Sequence, residues 1–175
     1  EVAWDLSKWT ELVEKIKHPN NKISVAICGK YTDLQDSYIS VVEALKHAWA
    51  HLDTWIDIKF IETSKIEEWK ITVQKALENI DWVIVPGGFG TRWTEGKIQI
   101  IRYLRENKIP FLGICLGFQL AVIEYARNIC NFKNAHSTEI DSQTNYPVID
   151  LLPGQSDISK KWGTMRLGWQ NIKIK

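Results

Sequence analysis

The stretch Phe111-Leu112-Gly113-Ile114-Cys115-Leu116-Gly117-Phe118-Gln119-Leu120 constrains this chain more than any other. Its opening apolar run predicts a short strand, and the apolar segment from Leu120 to Ile129 has helical length. Between them Gly-Ile-Cys-Leu-Gly fits the strand–turn–helix pattern G-x-nucleophile-x-G, with a cysteine at the apex. A turn sharp enough to present the sulfur crowds its own backbone, so Gly113 and Gly117 stand where a Cβ would clash. The following helix brings unpaired N–H groups and a positive dipole end to the sulfur, which favours thiolate over thiol. The Leu116 amide would point to where an oxyanion forms. The competing reading makes Cys115 a buried core cysteine, the ordinary fate of a free one.

The chain of 175 residues fits one domain with a real core. With 22 basic against 21 acidic residues and no basic run, nothing favours nucleic acid or an anionic membrane as partner. No stretch is long and apolar enough to span a bilayer, and Glu1-Val-Ala-Trp-Asp is not a secretory leader. The three cysteines, Cys28, Cys115 and Cys130, lack metal-type spacing and suit a reduced, cytoplasmic setting.

Along the chain, Leu6, Trp9, Leu12, Val13 and Ile16 recur at helical spacing, and residues 1–20 form a connector helix stopped at His18-Pro19. Residues 21–175 are expected to carry part of a domain. Ile23–Cys28 is a buried strand, then a helix follows with Tyr38, Val41, Val42, Leu45 and Ala48 inward and Ser37 or Asp36 as its cap. Ile56–Ile61 and Val83–Val85 are strands, and Ile66–Asn79 and Lys97–Asn107 are helices. Asn134–Asn145 reads as polar loop, Pro147–Leu152 as a strand, and Gly163–Lys175 as the start of another. Strands alternating with helices predict an α/β chain whose mostly parallel sheet has helices on both faces. Ligands of such sheets sit beyond the carboxyl ends of the strands. Cys115 lies at one such end and Pro86-Gly87-Gly88-Phe89-Gly90 at its neighbour's, so the Gly88 amide can be a second oxyanion donor. A glycine-rich loop alone would be a turn; beside the elbow it points to acyl transfer by a thiolate.

Five stretches resemble the glutaminase (class I glutamine amidotransferase) domain of the CTP synthase family. They are Gly29-Lys30-Tyr31 with Asp36-Ser37-Tyr38; Val85 to Arg92 with Thr94-Glu95-Gly96-Lys97; Pro110 to Ala121; Asn134-Ala135-His136-Ser137-Thr138-Glu139; and Gly163-Thr164-Met165-Arg166-Leu167-Gly168. The elbow is common to many glutamine amidotransferases, whereas the last two stretches are far narrower. The resemblance implies a three-layer, flavodoxin-like fold. It implies that Cys115 attacks the L-glutamine carboxamide, forming a glutamyl thioester and releasing ammonia. Gly88 and Leu116 would hold the oxyanion, and Gln119 and Glu139 the polar ends of the substrate. Ammonia would pass to an amidoligase domain outside this chain, where ATP and Mg²⁺ serve the amination of UTP to CTP. This domain would need no cofactor or metal of its own. The family also implies a homo-oligomer, a tetramer, with residues 1–20 leading in from the amidoligase half.

Two features depart from the family. Its general base is a histidine two residues before a glutamate, downstream of Met-Arg-Leu-Gly. Here the histidines are His18, His47, His51 and His136, and His47 and His51, four apart on one helix, read as a solvated face. A polypeptide of these residues is therefore expected to turn glutamine over poorly, since a missing base removes a factor of roughly 10² to 10⁴. A catalytically silent binding or thiol-sensing module on the same scaffold is the alternative. Secondly, Trp49, Trp55, Trp82, Trp93, Trp162 and Trp169 fall where glycine or a small residue would sit comfortably. Glycine and tryptophan codons differ by one base, GGA to UGA or GGG to UGG. A source that reads UGA as glycine, translated with UGA as tryptophan, would yield this pattern; UGG at positions 82, 93 and 162 refutes it. As genuine substitutions they would make Trp93 a threat to the oxyanion loop.

Overall fold

The computed structural model describes residues 4–30, 35–88 and 93–151. Tyr31, the segment from Phe89 to Arg92, the strand expected from Gly163, the Gly163–Gly168 motif, Trp162 and Trp169 lie outside them. Four strands form one sheet: β1 (Asn21–Gly29), β2 (Thr54–Glu62), β3 (Trp82–Val85) and β4 (Phe111–Gly113). Their order is β2-β1-β3-β4 and every pairing is parallel, with Val25 opposite Trp82 and Val85 opposite Gly113.

Side-chain alternation along these strands builds two cores. Ala26, Cys28, Val83 and Val85 face one side with Ile98, Ile101 and Leu104 of α5 (Thr94–Glu106) and Leu120 and Ile123 of α6 (Leu116–Asn128). Val25, Ile27 and Ile84 face the other with Leu45 of α2 (Ile39–Leu52). The sheet is thus the middle of three layers, as expected. The helix expected within residues 1–20 forms as α1 (Ser7–Lys17), but it buries no residue and leaves Trp9 67% exposed. No described helix is long and apolar enough to cross a membrane.

Local signals moved several boundaries. Asp36 and Ser37 do not cap α2; they lie in a 3₁₀ turn, Gln35–Tyr38, and no side chain caps the helix. The helix expected over Ile66–Asn79 is broken into α3 (Thr63–Glu67) and α4 (Val73–Ala76). After α3 the amides of Lys70 and Ile71 fold back onto the Lys65 carbonyl, Trp69 takes a left-handed φ of 59°, and Thr72 caps α4 by accepting from the Lys75 amide. Helix α5 begins at Thr94 rather than Lys97, and α6 at Leu116 rather than Leu120, directly at the turn. The polar stretch after Asn134 contains β5 (His136–Ser137), which pairs in parallel with β6 (Pro147–Ile149).

Helices α5 and α6 are joined by charge. Glu124 is 1% exposed, and Arg105 donates to both its carboxylate oxygens, at 2.8 Å from Nη2 and 3.0 Å from Nε. Arg105→Met is therefore expected to cost about 3 kcal/mol in urea unfolding, because it strands a buried carboxylate; an unchanged midpoint would show the pair to be dispensable. Trp69 is 84% exposed, so its side chain gains little by burial while its backbone carries the strain. Trp69→Gly is expected to raise stability by about 1 kcal/mol in the same assay, and a loss would show that the indole is held by something other than this backbone.

Candidate active site

The elbow exists, and it is strained. Cys115 adopts φ 52°, ψ −113° as the N-terminal flanking residue of α6, a conformation that L residues rarely hold. Its glycines are needed for close approach. A Cβ on Gly117 would lie 1.9 Å from the Val85 carbonyl oxygen, and one on Gly113 would lie 2.7 Å from the Phe118 nitrogen. Cys115 is exposed, so the buried-core reading fails.

The amides of Gly117, Phe118 and Gln119 donate to Ile114 and Cys115 carbonyls. Leu116, the first residue of α6, follows Cys115 directly, so its amide belongs to the helix start, where unpaired N–H groups and the helix dipole favour an anion. The neighbouring loop arrives as expected: a Cβ on Gly87 would stand 3.1 Å from the Cys115 Cβ and 3.7 Å from its Sγ. Gly88 follows with φ 154°, exposed, and a Cβ there would meet nothing within 4 Å. Cys115 on one side and Gly87 on the other are thus brought together by the parallel pairing of β3 with β4, with Leu116 and Gln119 in the first turn of α6 and Gly88 next in the loop.

Glu139 is held differently. It lies in the turn after β5, its amide donating to the Ser137 hydroxyl at 3.3 Å, and its carboxylate makes no ion pair among the described residues. Its segment is tied to α6 through Arg127, whose Nε donates to the Ala135 carbonyl at 2.7 Å. Arg127 also pairs with Glu95 at the start of α5, at 2.9 Å. His136 beside them accepts the Ser137 amide on Nδ1 and lies 3.8 Å from Glu95; burial and then Arg127 push its pKa below the usual histidine value. Glu95, Arg127 and His136, but not Glu139, line a polar cavity of about 490 Å³ with Asn134, Asp141 and Thr144.

Two groups escaped the sequence reading. Tyr38 Oη accepts the Lys30 amide at 2.9 Å and donates to the Lys30 carbonyl at 2.7 Å, pinning the turn that leaves β1. Lys97 is 2% exposed and donates from Nζ to the Pro86 carbonyl at 3.1 Å, directly under the glycine loop. The sequence carried a signal for it: Lys97, Ile101 and Leu104 follow the i, i+4, i+7 spacing of a buried helix face. Cys28 is no second nucleophile, because complete burial pushes its thiol up to about 12. His47 and His51 are exposed, and no group of metal-ligating side chains occurs among the described residues. Trp93 has φ 69°, ψ 20° at the start of α5, the left-handed geometry that glycine tolerates best. Trp49 and Trp55 meet edge to face at 4.2 Å, and the Trp49 Nε1 is buried without a partner. Trp82 sits in β3, half-buried and without strain.

Comparison with known proteins agrees with this geometry. Residues 33–163 match the family described as glutamine amidotransferase class-I. CTP synthases of Thermococcus gammatolerans and Caldanaerobacter subterraneus are each 54% identical, over 98% and 97% of this chain. The chain spans 32% and 31% of their lengths, about a third of these relatives. A solved structure titled Trypanosoma brucei CTPS glutaminase domain with bound acivicin superposes with a TM-score of 0.69 and 31% identity, covering 78% of this chain and 53% of that one. With its parallel sheet, its cysteine at the β4–α6 turn and a family match over most of its length, this chain belongs to the class-I glutamine amidotransferases.

Proposed function

We infer that this chain is the glutamine-hydrolysing unit of a CTP synthase. The observation that carries the reading is the exposed Cys115 at φ 52°, ψ −113°, with Gly87 against it on the neighbouring strand end. In the reaction the Cys115 thiolate attacks the side-chain carboxamide carbon of L-glutamine. An S–C bond forms and the carbonyl electrons move onto oxygen, where the Gly88 and Leu116 amides receive the charge. Collapse breaks the C–N bond, and the nitrogen leaves as ammonia after taking a proton. Water then releases glutamate from the thioester. Gln119 and Glu139 hold the amino-acid end of the substrate, Glu139 suiting an α-ammonium group by charge.

The proton must come from an acid–base group. The family's downstream His–Glu pair has no counterpart among the four histidines of this sequence, and His136 is engaged with Ser137 and faces Glu95. Ammonia passes to an amidoligase domain, where ATP and Mg²⁺ activate UTP for amination to CTP. The share of each relative's length that this chain covers, 32% and 31%, leaves room for such a domain.

Labelling tests the site without requiring turnover. Acivicin, the ligand named with the Trypanosoma brucei structure, or a diazoketone glutamine mimic is expected to modify Cys115 but not Cys130, which is also exposed. L-Glutamine should protect, and site-resolved mass spectrometry reads both cysteines. Glu139→Gln should weaken that protection roughly tenfold or more, the loss of a charged hydrogen bond. Reaction of both cysteines at similar rates, indifferent to glutamine, would instead favour the thiol-sensing module.

A further inference from the structure

Lysine is almost never fully buried unless paired, yet Lys97 is 2% exposed and forms no ion pair with a carboxylate among the described residues. Enclosure, and then the like charge of Lys30, push its pKa down to about 8, while Cys28 and Cys115 pull it the other way. It is still mostly an ammonium at neutral pH, held where burying a charge is costly. A methionine would fill the same length of space with no such cost. The fold therefore carries a charge here that packing does not require.

What Lys97 holds is specific. Its Nζ–H bond of 3.1 Å ends on the Pro86 carbonyl, the first peptide beyond β3. The next residue, Gly87, packs so near Cys115 that a Cβ on it would stand 3.1 Å from the Cys115 Cβ, and Gly88 follows. A peptide unit is planar, so fixing the Pro86 carbonyl fixes the orientation of the Gly87 amide and limits where Gly88 can go. Neither glycine can do this for itself, having no side chain to restrict its dihedrals.

We propose that Lys97 is a positioning residue of the glutamine-hydrolysing site: its enclosed ammonium anchors the Pro86 carbonyl, holding the Gly87-Gly88 loop in register with Cys115 for the step in which negative charge develops. The inference rests on the glutaminase reading and deepens it. It acts on the attack rather than on substrate capture, because the loop contributes to the oxyanion and not to the amino-acid end.

The test is acivicin labelling of Cys115 in this chain, Lys97→Met and Lys97→Gln against the parent, with Cys130 alkylation by iodoacetamide as internal reference. The maximal rate of inactivation is expected to fall on the order of 10²-fold, the usual consequence of a misplaced catalytic group, with the half-saturating acivicin concentration and the Cys130 rate unchanged. The melting temperature of Lys97→Met should equal or exceed the parent's, since an apolar group replaces a buried charge. Folded variants labelled at the parental rate overturn the proposal. Variants that fail to fold overturn it too, because they make Lys97 a structural residue. Weaker acivicin binding with an unchanged maximal rate likewise moves its role to substrate capture. A parent chain whose Cys115 is not protected by glutamine fails at the earlier step and removes the glutaminase reading itself.

Discussion

The packing of Gly117 against the Val85 carbonyl, too close for any side chain between them, is what the site depends on. Val85 ends β3, and Gly117 lies in the first turn of the helix that follows β4. Their approach presses the start of α6 down onto the sheet edge, and Cys115 is forced into its left-handed backbone to make the turn. The strain is local, of order 1–3 kcal/mol for such a residue, and two buried hydrophobic layers on either side of the sheet offset it. Because β3 and β4 are parallel neighbours, the same contact that raises the sulfur also brings Pro86-Gly87-Gly88 beside it.

Charge then locks the elements that backbone packing places. Arg105 and Glu124 join α5 to α6 along their buried sides. Arg127 joins the far end of α6 to the start of α5 through Glu95 and to the Glu139 segment through Ala135. Glu67 accepts the Gly96 amide at 2.9 Å, where a Cβ on Gly96 would lie 2.4 Å from the Thr63 carbonyl, so α3 sits tightly on the first turn of α5. All of these links but the Arg127–Ala135 bond end on α5, the helix that also carries Lys97. Helix α5 is therefore the element through which the elbow, the glycine loop and the Glu139 turn are held in one frame.

The parallel sheet and the elbow were legible because they rest on local pattern: apolar runs of strand length, glycines on both sides of one cysteine, and helical spacing between. The break between α3 and α4 was not, because Ile66 to Asn79 keeps helical periodicity and only the reversal onto the Lys65 carbonyl shows where the chain turns. Tyr38 reads from spacing as one apolar face residue among several, whereas its hydroxyl spans both polar groups of Lys30. Lys97 was hidden by its type. A lysine in a helical pattern reads as solvated, and only the i, i+4, i+7 relation to Ile101 and Leu104 contradicts it. Glu139 entered as a substrate contact by resemblance alone, since no periodicity connects a turn after β5 to a cysteine at the start of α6.

The tryptophans divide once backbone is separated from side chain. Trp82 occupies a strand position that any large apolar residue can fill, so its size proves nothing. Trp69 and Trp93 both have left-handed backbones, and at these positions an indole is a handicap that glycine would not carry. Trp49 is a third kind: its backbone is ordinary helix, but its ring nitrogen is buried without an acceptor, at a cost of about 1–3 kcal/mol. Backbone strain at two sites and an orphaned donor at another have nothing in common structurally, and no single packing adaptation accounts for them. A shared origin in the codon would: glycine read from UGA would remove the strain at positions 69 and 93 and the stranded nitrogen at 49 together. Trp69 was not among the residues that resemblance to the family singled out, and it emerges from its dihedral angle alone, so it tests that origin independently of the family pattern.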